Sequence, residues 1–390
     1  MRAVLIAISD RPGFTPEGGA KAPVGRPLVL RQLDFALACG CEEVLALGDP
    51  DSPEVTMLAR AARSRGAIVR MLGDAHGLLG VLNTADELLV LAADILPESP
   101  LAVKVLSVGP GVLVLPADVA VPAGFERVDR DLAWAGAAVL PGTLVERLAE
   151  LPRDSDAPAA LLRIALQARV PERMLADTVL PDGSWLMADS GVVPLQADGW
   201  RRQQLATAEP FDGTGRLAQF VIRRWPTYVR PNRRTIGALY AGGVLALVAA
   251  VILAWYGFPA AGFALLAPSA LASAVAQRLQ EIDAGPFARR KERSRGRAIL
   301  SWSLDGALGL CGALAIGGAW LGRVFPPLVL IIALRGRPAA QRPRALAMLG
   351  DRMALAIVLA IATALDVAEP AIMVLALLFL LGDRMTPADR

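Results

Sequence analysis

The chain has 390 residues, 54% of them hydrophobic and 20% charged, with a formal net charge of +3. A mean hydropathy of +0.47 excludes an ordinary water-soluble globular composition and a charge-rich disordered one. Three cysteines, Cys39, Cys41 and Cys311, exclude a disulfide framework and contain no CxxC pair, so they read as reduced and buried.

The apolar excess is uneven. Residues 1–234 alternate short apolar runs with charged and Pro/Gly-rich stretches, whereas residues 235–382 are mostly Ala, Leu, Val, Ile and Gly broken by Arg clusters. The first apolar run ends at Ser9-Asp10-Arg11-Pro12-Gly13, too short for a signal-peptide core, so no cleaved leader is expected. Residues 2–8 (RAVLIAI) predict a buried strand, Arg26 to Gly40 a helix, Glu43 to Leu47 a strand and Pro53 to Gly66 a helix. Ala67 to Leu72 predicts a third strand, Leu78 to Glu87 a helix, and Leu88 to Ala93 a fourth strand ending at Asp94. This alternation predicts an α/β, doubly wound parallel sheet, with ligands at the carboxyl ends of the strands. The loop Ser9–Lys21 and Asp94 both fall there.

Six apolar segments follow: Thr235 to Tyr256, Phe258 to Ala276, Ala298 to Leu321, Phe325 to Leu334, Met353 to Leu365 and Pro370 to Leu381. The last three are shorter than the 17–25 residues that spanning requires, and a soluble helical core is the alternative for them. Charge separates the connections. Arg residues crowd before the first segment, between the second and third, between the fourth and fifth, and after the sixth, while the alternate connections hold only Arg323. The positive-inside rule is then met by an all-α domain of six spans in the inner (cytoplasmic) membrane, with both termini and the α/β domain cytoplasmic. Those basic clusters either attract anionic headgroups and phosphorylated substrates or only orient the helices. Asp305 lies within the third segment, where an ionisable residue costs roughly 2.5–3.5 kcal/mol and usually faces a polar cavity.

Lys21-Ala22-Pro23-Val24-Gly25-Arg26-Pro27-Leu28, the strand end at Asp94 and Trp185-Leu186-Met187-Ala188-Asp189-Ser190 together resemble the nucleotidyltransferase family of the sugar-phosphate, GT-A-like type. The resemblance covers residues 1–208 and implies Mg²⁺ held by Asp94 and Asp189. It implies Lys21 as the catalytic phosphate contact and Ser9, Arg11 and Gly13 as the phosphate loop. The family's glycine-rich loop reads here Ser9-Asp10-Arg11-Pro12-Gly13. His76 either lines the nucleotide pocket or serves structure.

Glu281-Ile282-Asp283-Ala284-Gly285-Pro286-Phe287-Ala288-Arg289 resembles the DxxDGxxAR signature of the CDP-alcohol phosphotransferase membrane family, some of whose members are fused to cytidylyltransferases. GxxAR is intact at Gly285, Ala288 and Arg289. Glu281 replaces the first Asp, Ala284 the second, and Asp283 and Asp305 are the nearest other carboxylates. The resemblance implies six spans over residues 235–390 after a basic linker 209–234, CTP and a phosphorylated alcohol or lipid as partners, a homodimer, and a role in phospholipid metabolism. The departures from both motifs leave a second reading, a catalytically decayed regulatory or scaffold subunit. A transporter fits less well, since no inverted repeat is visible.

Overall fold

β1 (Arg2–Ala7) has no polar residue after Arg2 and is buried on both faces, as a central strand must be. It belongs to a computed structural model that describes residues 1–8, 27–187, 213–224, 233–287, 290–337 and 341–385. By internal contacts the chain divides into two units, Met1–Gln204 with Asp283–Ala288, and Leu205–Ile282 with Arg289–Arg390.

In the first unit, α1 (Leu28–Ala38) follows β1 and ends where Gly40, at φ 81°, lets the Cys41 N–H return to the Ala36 carbonyl. β2 (Glu43–Leu47), α2 (Pro53–Ser64) and β3 (Ile68–Leu72) follow. α2 begins as its sequence dictates, with the Ser52 hydroxyl accepting from the Glu54 N–H at 3.3 Å and Pro53 in the first turn. β4 (Glu87–Leu91), β5 (Ile95–Pro97), α3 (Pro100–Leu106), β6 (Gly111–Pro116), α4 (Ala117–Ala120), β7 (Leu132–Pro141), α5 (Gly142–Val145), α6 (Ala157–Gln167), β8 (Glu172–Met174) and β9 (Trp185–Met187) complete the unit.

Seven strands form one sheet in the order β3-β2-β1-β4-β7-β6-β8, and β5 pairs with β9 separately. β3, β2, β1 and β4 are mutually parallel, as expected, but β7 runs antiparallel to both β4 and β6. The β6–β7 connection holds only the four-residue helix α4 and turns, and an antiparallel pair needs no full crossover helix.

The helix predicted over Leu78 to Glu87 is absent. A 3₁₀ turn, Ala75–Leu78, and further turns stand in its place. The Asp74 carboxylate accepts from the Gly77 N–H at 3.0 Å, and the Asp86 carboxylate accepts from the Asn83 N–H at 2.9 Å. These side chains take the donors a helix would use, and Gly80 sits at φ 70°.

The second unit is helical throughout its described residues. α7 (Gly213–Arg224), α8 (Arg233–Trp255), α9 (Pro259–Ala284), α10 (Arg290–Ala315), α11 (Trp320–Gly336), α12 (Arg344–Leu349), α13 (Arg352–Ala364) and α14 (Ala368–Met385) follow in order. Three helices are long and apolar enough to cross a membrane: Arg234–Trp255, Pro259–Glu281 and Ala298–Ala315. The most apolar stretch, in α8, has a mean hydropathy of 2.4, yet only 17% of it is buried. An apolar surface of that extent is not left against water, so this composition and exposure suit lipid. Helices approach closely where side chains are small. A Cβ on Gly262 would lie 2.7 Å from the Ala250 carbonyl, and the Ser269 hydroxyl donates to the Gly243 carbonyl at 2.7 Å. Phe263, Leu266, Cys311, Leu355 and Phe379 fill the core of this unit.

Candidate functional site

The chain runs from β1 outward through β2 to β3, then returns to place β4 on the other side of β1. The crevice between β1 and β4 is therefore a topological switch point, where open α/β sheets bind ligands at the carboxyl ends of the strands. β1 and β4 end there together, with Ile6 opposite Leu91.

Asp94 lies in the turn between β4 and β5 and is 9% exposed. α1 grips this turn with consecutive residues. The Gln32 side-chain amide donates to the carbonyls of Ala92, Ala93 and Ile95 at 3.1, 3.0 and 3.0 Å, and Gln32 is wholly buried. Arg31 forms a buried ion pair with Glu98, just beyond β5. Carbonyls in a tight turn after a strand have no ladder partner, so a buried amide donor is the economical way to satisfy them. β9 pairs with β5, setting Met187 opposite Ile95. Trp185 of β9 is fully buried, donates from its indole N–H to the Ala135 carbonyl at 2.7 Å and meets the Phe35 ring edge-on at 5.5 Å.

A cavity of about 140 Å³ opens beside Asp94, lined also by Glu126, Trp134, Gly136, Asp156 and Met187. The Asp156 carboxylate also caps α6, accepting from the Ala159 N–H at 3.3 Å. Gly136 sits at φ 78°, and its carbonyl accepts from the Ala92 N–H at 2.8 Å, which ties β7 to the Asp94 turn. The donor set is carboxylate oxygen, which suits a hard divalent cation such as Mg²⁺. Among the described residues no three acidic, His or Cys groups lie close enough to hold an ion by themselves.

Of the residues singled out in the sequence, Ser9, Arg11, Gly13, Lys21, Asp189 and Arg289 lie outside the described residues. His76 is apart from the cavity lining, and its Nε2 hydrogen-bonds the Leu151 carbonyl at 2.8 Å. Gly285 is buried at φ 72°, where an added Cβ would lie 3.2 Å from Arg31 Nη1 and from Glu98 Oε1. Glycine at this position therefore has a packing reason as well as a motif one. Phe287 meets Phe35 edge-on at 5.7 Å. Glu281 pairs with Arg278 at 3.1 Å along one helix, and Asp283 falls in the last turn of α9. Asp305 is 1% exposed and ion-paired with both Arg335 at 2.6 Å and Arg352 at 3.2 Å.

Gln32, Glu126 and Asp156 escaped the sequence reading. Asp156 carried a signal, a potential N-cap two residues before Pro158. Gln32 carried a fainter one, a polar residue four positions from both Leu28 and Ala36 on a helix buried nearly all round.

No protein-family model matches the chain, and no curated protein does. Among solved structures it is similar to a protein assigned as a glucose-1-phosphate thymidylyltransferase from Bacillus anthracis, crystallised with sucrose. The identity is 15%, the TM-score 0.37, and the match covers 55% of this chain and 98% of that one.

Proposed function

We propose that the α/β unit is a nucleotidyltransferase acting on a phosphorylated alcohol, and that the helical unit fixes it to a membrane. The observation that carries this reading is the position of Asp94: buried, at the β1/β4 switch point, in a turn clamped by Gln32 and Arg31. The motif residues complete the site. Ser9, Arg11 and Gly13 contact the phosphates of a nucleoside triphosphate, CTP in the first instance, and Lys21 neutralises charge as it develops. Asp189 lies two residues beyond Met187, which lines the Asp94 cavity. Asp94 and Asp189 are the residues that would hold Mg²⁺, which supplies charge neutralisation on the phosphate oxygens. A phosphate oxygen of the alcohol phosphate attacks the α-phosphorus, the bond to the β-phosphate breaks, and pyrophosphate leaves.

For the helical unit we favour lipid or product binding over phosphotransfer, because Asp305 is already held by Arg335 and Arg352, and Glu281 pairs with Arg278. Six spans with cytoplasmic termini remain the topology that loop charge favours. A reporter fused after Arg390 and found outside the cytoplasm would overturn it.

The activity is tested with full-length protein, Mg²⁺, labelled CTP and a panel of sugar and polyol phosphates. Pyrophosphate release that falls at least about a hundredfold in Asp94→Ala supports the enzyme. No release, together with no CTP binding by calorimetry, replaces it with the scaffold reading.

A further inference from the structure

The sequence of α7, GTGRLAQFVIRR, has no acidic residue. One face is buried: Thr214, Gly215, Ala218 and Ile222. That face is tied to α13, since the Asp351 carboxylate accepts from the Thr214 N–H at 2.6 Å and from the Thr214 hydroxyl, and also caps α13 through the Met353 N–H at 3.3 Å. One carboxylate thus sets the amino ends of two helices side by side. The opposite face is exposed, and it combines apolar with basic side chains: Leu217 and Phe220, the latter 61% exposed, with Arg216 and Arg224.

Phe220 has no reason to stand in water. Exposed leucine and phenylalanine flanked by arginines on a short helix is the composition of a helix lying in a bilayer interface, with rings among the acyl chains and guanidinium groups at the phosphates. The location agrees. α7 ends shortly before the span Arg234–Trp255 begins. The end of α13 that it adjoins is basic, with Arg352 there and Arg335 brought to the same Asp305. We infer that the outer face of α7 is a docking surface for an anionic lipid leaflet, with Leu217 and Phe220 inserted and Arg216 and Arg224 on the headgroup phosphates.

This inference rests on the reading that the helical unit crosses a membrane, and the test separates the two. Full-length protein carries a spin label at Phe220→Cys or, separately, at Leu245→Cys, an exposed position within the first span. The three native cysteines are buried and leave the introduced thiol as the reactive one. Each sample is placed in phosphatidylcholine nanodiscs, with or without roughly a third phosphatidylglycerol, enough to give the surface its negative potential. Collision with lipid-soluble oxygen is compared with collision with a water-soluble nickel chelate. The expected result is oxygen access at 245 in both discs, and oxygen access at 220 that increases with phosphatidylglycerol. Arg216→Gln and Arg224→Gln should each reduce the docked-to-undocked ratio roughly fivefold in anionic discs. Nickel access at 220 in anionic discs, with 245 still in lipid, overturns the docking surface alone. Nickel access at 245 overturns the membrane reading. A label at 220 shielded from both reagents equally in detergent and in discs means a protein covers this face, which also overturns the inference.

Discussion

Gln32 holds the turn that presents Asp94: one side-chain amide reaches the carbonyls of Ala92, Ala93 and Ile95, on both sides of the carboxylate. Among the described residues its own Oε1 has no hydrogen-bond partner, so the residue serves as a donor. Replacing Gln32 with Met keeps the volume and removes this donor from the Ala93 and Ile95 carbonyls, while the Ala92 carbonyl keeps the Ile95 N–H at 3.2 Å. The expected cost is about 2–3 kcal/mol in denaturant unfolding of the α/β unit. Pyrophosphate release should fall more steeply than CTP affinity, because the change moves Asp94 rather than removing a nucleotide contact. Unchanged stability would show that the turn does not depend on this clamp.

Gly136 gives a second handle on the same turn. An added Cβ would approach the Ile95 side chain at 3.3 Å and Ala92 Cβ at 3.4 Å, and φ 78° is strained for any residue with a Cβ. Gly136→Ala should cost about 1–2 kcal/mol, read as a lower unfolding midpoint, and should weaken Mg²⁺-dependent CTP binding. Gly40→Ala, also at positive φ but with nothing within 4 Å, controls for the backbone term alone.

Asp305 is wholly buried, whereas Arg335 and Arg352 keep 25% and 35% of their side chains exposed. Removing the acid leaves two guanidinium groups beside an apolar core, while removing one arginine leaves the acid still paired. Asp305→Asn is therefore expected to cost about 3 kcal/mol in nanodisc thermal unfolding, at the low end for a buried pair because its partners reach solvent. Arg352→Gln should cost a fraction of that. Equal effects from the two would mean that the pairing is not shared as the geometry indicates.

Burial pushes the Cys39 thiol up to about 12 against the opposing Arg2 charge, and it pushes Cys41 up as well. The thiolate is the reactive form, so at pH 8 native Cys39 should react with a disulfide reagent about a thousandfold more slowly than an unfolded thiol of pKa near 8.5. The folded state binds the thiol proton more tightly than the unfolded one. Stability should accordingly fall as pH rises above about 8.5, and the loss should shrink in Cys39→Ala. Rapid labelling at pH 8 without unfolding would contradict the burial.

Much of this architecture is legible in the sequence because it rests on local patterns. An unbroken apolar run such as RAVLIA must be buried on both faces. Stretches of the length and hydropathy of Arg234–Trp255 cannot be solvated cheaply. Asp94 was visible because it ends an apolar strand. The helix expected over Leu78 to Glu87 failed because Asp74 and Asp86 bond to nearby N–H groups, a competition that apolar periodicity does not register.

What only the tertiary structure decided are the long-range pairings. Sequence cannot say that β7 would slot in antiparallel beside β4, since strand order depends on which edges find partners once the chain has collapsed. Nor could it show that Gln32 faces the Asp94 turn across 62 residues of chain, or that Asp305 meets Arg335 and Arg352 from two other helices. A buried polar group must be satisfied by whatever the fold brings within about 3 Å, and that neighbour is fixed by packing rather than by position along the chain.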